Sequence, residues 1–146
     1  MYTATVLVQI TTFNPIGSGN IVATLSPPTD TSPGAPTGVF SGSGEQLIVV
    51  TPQGYTGGVQ VTFQLPDPNY VLVGITARPN QSSSGAARLE FCTVTVNRSP
   101  AGSQLTVTDA CLPQFYNVDF EYLLVVQQLS SNQLGTIDPD EENEPQ

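Results

Sequence analysis

The sequence predicts an all-β protein: an antiparallel β-sandwich, Ig-like or jelly-roll-like, of roughly eight strands followed by an acidic C-terminal tail. Three observations lead there. Apolar residues recur at every second position in several short runs, the period of a strand with one buried face. Glycine and proline, 13 of each, break the chain at short intervals. No long segment sustains the helical period that an amphipathic helix requires. With 146 residues the chain can form one domain that buries its own core without a metal or a disulfide.

The first expected strand, Tyr2–Thr12, interleaves apolar residues with Thr and Gln. Asn20–Leu25 is the second. Residues 26–44 are rich in Pro, Gly, Ser and Thr, so a long surface loop is expected, with one short strand near Val39-Phe40. Gln46–Thr51 is a near-continuous apolar run. Val59–Leu65 alternates most cleanly, its Val, Phe and Leu toward a core and its amides toward water. Pro66-Asp67-Pro68-Asn69 makes a turn, because proline presets φ and cannot donate to a ladder. The chain then returns as Tyr70–Ala77.

Arg88–Val96 and Gln104–Ala110 are expected to form a hairpin across Asn97–Ser103, with Val96 opposite Leu105 and Val94 opposite Val107. Cys92 then opposes Asp109, and Cys111 is its diagonal neighbour. Diagonal neighbours lie about 7–8 Å apart, beyond the disulfide Cα separation of about 4.4–6.8 Å. Free, partly buried thiols are the expectation, although a bulge near Ala110 would close the gap. Val118–Leu129 is the last strand of a domain spanning 1–129. From Ser130 onward polar composition marks 130–146 as a solvated tail.

Composition removes most catalytic chemistry. Without histidine there is no Ser-His or Cys-His pair, and without lysine no Schiff base or phosphate-loop lysine. Gly17-Ser18-Gly19 and Gly42-Ser43-Gly44 precede strand-like residues, so they are turns and not phosphate loops. Two cysteines cannot complete a zinc site. The net charge of −9 sets twelve acids against Arg78, Arg88 and Arg98, too few cations to neutralise a run of phosphates. Nucleic acid is not an expected partner, and neither is an anionic membrane. No cofactor is expected.

Four sets of residues remain as site candidates. Leu47, Ile48 and Val50, with Leu123 and Val125, belong to runs apolar on both faces, which suits contact with another chain. Tyr55 and Tyr116 sit in loops and are candidate sugar or small-ligand contacts. Asp138, Asp140, Glu142 and Glu144 offer hard oxygen ligands for calcium but lack the spacing of an EF-hand loop, so no metal site is expected. Asp119 and Glu121 project from one face of a strand about 7 Å apart, near glycosidase spacing, the basis of a distant hydrolase alternative.

A structural or interaction module is therefore expected, non-enzymatic, binding protein or itself. A carbohydrate-binding module is the alternative. The opening residues lack the positive n-region of a secretory leader and Leu123–Val126 is too short to span a bilayer, so the expected location is cytoplasmic, or outside the cell by a non-classical route. The ending Ile137-Asp138-Pro139-Asp140-Glu141-Glu142-Asn143-Glu144-Pro145 resembles the C-terminus of small bacterial proteins of the DP-EP family. That resemblance implies a bacterial, non-catalytic protein whose tail takes part in its function, and it implies no site residue.

Overall fold

The computed structural model describes residues 1–31, 39–42, 46–51, 54–55, 57–79, 91–99, 102–110, 119–138 and 140–145. Among them the chain is all-β: β1 (Tyr2–Thr12), β2 (Val22–Leu25), β3 (Thr29–Asp30), β4 (Phe40–Gly42), β5 (Gln46–Thr51), β6 (Val59–Leu65), β7 (Tyr70–Pro79), β8 (Phe91–Ser99), β9 (Gly102–Asp109), β10 (Asp119–Gln128), β11 (Leu134–Ile137) and β12 (Asp140–Pro145). They form two sheets that pack face to face. The first runs β2-β1-β6-β9-β8, with β3 beside β2 on the same side of β1. The second runs β7-β10-β12-β5-β4, with β11 continuing β12 along β10.

Alternation builds the core from both sheets. In β6 every odd residue is buried and every even one is half-buried. Val6, Val8, Val61, Phe63 and Leu105 of the first sheet meet Leu72, Leu124, Val126 and Ile137 of the second in one apolar cluster. A polar stitch joins the sheets: the backbone N–H of Leu72 donates to Ser103 Oγ at 2.8 Å, and both residues are buried.

Several expectations need correction. The sheets are mixed and not purely antiparallel, because β1 pairs β6 in parallel and β12 pairs β5 in parallel. The turn at Pro66–Asn69 crosses from one sheet to the other, so β6 and β7 do not pair. Asp67 shapes that turn by accepting from Asn69 N–H at 3.0 Å, and Tyr70 N–H reaches the Asp67 carbonyl at 3.3 Å. The β8–β9 register has Val96 opposite Leu105 and Val94 opposite Val107, as the alternation requires. Phe91, however, opposes Asp109, and the bulge falls at Cys92. Cys111 and the Cys92 side chain lie outside the described residues.

The largest correction concerns residues 130–146. They are not a solvated tail. Leu134–Ile137 pairs antiparallel with Gln127–Leu124, and Asp140–Glu142 pairs with Glu121–Asp119 in the same register. β11 and β12 thus pair with β10 in one register, as the return arm of a hairpin. A tight turn reverses the chain: Gln128 N–H donates to the Gln133 carbonyl at 2.9 Å, and Asn132 takes a left-handed φ of 57° that asparagine tolerates. The strand count exceeds the expected eight because of this arm and the short β3 and β4.

Candidate interaction surfaces

The two sheets turn chemically different faces outward. Across the first sheet, Thr5 of β1 opposes Thr29 of β3 and Thr62 of β6, Thr62 opposes Thr106 of β9, and Thr106 opposes Thr95 of β8. The result is one row of threonines across five strands. Within it Thr62 and Thr106 share a hydroxyl hydrogen bond of 2.8 Å. Neighbouring rows carry Thr3, Gln60 and Thr108, then Gln64, Gln104 and Asn97. No Asp, Glu, Lys or Arg occupies these outward positions.

The second sheet gathers the acids. The register sets Asp119 opposite Glu142 and Glu121 opposite Asp140, while Arg78 lies across Glu121 on its other side. Glu144 follows Glu142 on the same face, and Asp138 is exposed at the break. Like charges directly opposite on antiparallel strands repel. Replacing Asp140 by Asn and Glu142 by Gln together, which relieves both like pairs and leaves Glu121 to Arg78, is therefore expected to raise stability by about 0.5–2 kcal/mol. Added salt should raise the thermal midpoint of the native chain more than that of the double variant, by screening. Equal salt responses in thermal melts would contradict the pairing.

The candidate interface residues divide on this frame. Leu123 and Val125 are half-buried on the outer face of β10. Ile48 and Val50 share the face of their register partners Glu142 and Glu144, and Leu47 pairs with Glu141 on the opposite face. The acidic strand β12 stands between the two apolar runs, so they form no continuous patch. The β5 and β12 side chains lie outside the described residues, as do those of Asp119 and Glu121.

Tyr55 is already engaged within the monomer. Its ring packs on Tyr2 at 4.6 Å between centroids, and its hydroxyl donates to the Gly58 carbonyl at 2.9 Å. Tyr116 lies outside the described residues. Among the described residues no group of three or more His, Cys, Asp or Glu could hold a metal ion, and no helix is long and apolar enough to cross a membrane.

Sequence inspection missed two features. Asp109 ends β9 almost wholly buried, opposite Val59 and Phe91. The second is the open side of the sandwich where the edge strands β7 and β8 run alongside one another. On β7 Val73 is 40% exposed, and on β8 Val94 is 45% exposed and Val96 48%. Their opposite numbers Val107 and Leu105 are buried, so β8 carries a core-type pattern past the edge of the covering sheet. Alternation gave the strand but not its place at the rim.

No family model, no curated protein and no solved structure matches the chain.

Proposed function

We propose that the chain is a non-enzymatic interaction module, a β-sandwich that self-associates or docks on a protein partner through its sheet surfaces, of coat, filament or decoration type. One observation carries this reading: Val94 and Val96 stand about half exposed on an edge strand. The five residues Thr93–Asn97 contain no charge and no proline. Edge strands are normally protected by such residues, because their free N–H and C=O groups template pairing with another chain. Among the described residues, protection of β8 is confined to its ends, in the bulge at Cys92 and in Arg98.

The carbohydrate alternative has less behind it, since Tyr55 spends its ring and hydroxyl on Tyr2 and Gly58. Sedimentation of the purified chain across a wide concentration range tests the proposal. A mass that rises above 15.4 kDa with concentration is expected. A single 15.4 kDa species at every concentration would overturn self-association.

A further inference from the structure

We infer that the occupant of the β8 edge is a second copy of this chain, paired antiparallel through β8 about a two-fold axis at Thr95. The inference rests on the interaction reading above and specifies its partner and register.

Four observations converge on that axis. The sheet order ends at β8, so among the described residues no strand pairs with its outer edge. Regular pairing with β9 runs from Thr93 to Ser99, and within it the uncharged stretch Thr93–Asn97, between the bulge at Cys92 and Arg98, has its midpoint at Thr95. Pairing about Thr95 sets Val94 opposite Val96 of the second copy, twice. The four half-exposed valines then cover one another on one face of the joint. On the other face Thr95 meets Thr95 of the second copy, and the threonine row that now stops at the edge continues across the axis. Thr–Thr and β-branched cross-strand pairs are favourable. An axis at Val94 would instead set Val96 against the bulged position 92 and lose one of these matches.

Charge singles out this edge as the place where a second copy can approach. A chain of net charge −9 repels its own kind wherever its acids lie. Four of those acids, Asp119, Glu121, Asp140 and Glu142, are in register on the outer face of the second sheet. Among the described residues, the β8 rim and the adjoining rows on the outward face of the first sheet carry none. Two copies therefore approach with least repulsion where the free edge and the exposed valines also lie. A joint of five residue pairs is small, so a concentration-dependent dimer, on the order of micromolar or weaker, is expected. Each closed two-fold uses the β8 edge of both copies, so this contact gives a dimer and does not propagate.

Charge swaps test the register. In the V94K/V96K variant the axis sets lysine against lysine at both paired positions, and dimerisation should weaken roughly tenfold or more. In V94K/V96E the same axis sets lysine against glutamate twice, and dimerisation should return toward the native level. Both positions are about half exposed, so neither variant removes core packing. Circular dichroism confirms that each is folded. Amide exchange in the native chain is the second readout, with protection at 93–97 rising with concentration.

Association of V94K/V96K as strong as the native would overturn the β8 joint while leaving self-association standing. Loss of the dimer in both variants would overturn the Thr95 axis. A native chain monomeric at every concentration would overturn the joint and self-association together.

Discussion

Ending the chain after Leu129 is expected to abolish cooperative folding. The removed segment contains the whole return arm of the β10 hairpin. Its Ile137 is 4% exposed within the core cluster, and its backbone anchors the N-terminal region through Ile21 N–H to the Thr136 carbonyl and Ile16 N–H to the Leu134 carbonyl, each 2.8 Å. β12 lies between β10 and β5 and pairs six of its residues with Gln46–Thr51. Without the arm the second sheet falls into a β7–β10 pair and a β4–β5 pair with no ladder between them. The loss is comparable to the whole stability of an ordinary domain, about 5–15 kcal/mol. Ending after Asp138 is milder: β11 and Ile137 remain, but β5 and part of β10 become open edges, so a folded, aggregation-prone protein with a lowered melting temperature is expected. Circular dichroism melts and size-exclusion profiles of the two truncations decide the matter. Native-like melting of both would mean that residues 130–146 contribute no strand.

The physical reason that arm was illegible is instructive. Asp140-Glu141-Glu142-Asn143-Glu144 contains residue types depleted from strands, and by local preference it is solvated chain. What holds it in the sheet is non-local: two edges, β10 and β5, that offer backbone partners on both sides. Ser130-Ser131-Asn132 before it is a turn signal, and it was the available clue that the chain doubles back.

Elsewhere local pattern was sufficient. β1, β5 and β6 have the bounds that alternation and punctuation assign. The β8–β9 register follows from matching Val94 and Val96 to the apolar face of β9. Alternation fails where the answer depends on neighbours. Val94 and Val107 carry the same signal, yet one is rim and the other core, because the second sheet ends before it covers β8. The threonine row is a property of cross-strand register, assembled from five separated strands, and no single run announces it. The same holds for the separation of charge, which leaves one outer face neutral and concentrates carboxylates on the other. It is this placement, not composition, that directs the functional proposal to the β8 edge.

Replacing Gly102 by alanine should be among the most damaging single substitutions in the chain. Gly102 opens β9 opposite Ser99, with φ at +115°, a conformation L residues rarely adopt. A Cβ there would stand 2.5 Å from the Leu65 carbonyl oxygen and 2.6 Å from the Pro66 Cα. Both atoms are backbone, at the point where β6 leaves the first sheet, so neither can swing aside as a flexible side chain could. Relief requires moving the β8–β9 hairpin away from β6. That movement disturbs Ser103 and with it the hydrogen bond to Leu72 that stitches the sheets. Gly17 supplies the control, because its φ is +97° but nothing lies within 4 Å of its Cβ position. Gly17→Ala therefore carries the backbone strain alone, about 1–3 kcal/mol. Gly102→Ala adds the collision and should reach about 4 kcal/mol or more. Urea unfolding of both variants separates the two contributions. Equal midpoint shifts would mean that β6 and the β9 turn do not approach as closely as the fold requires.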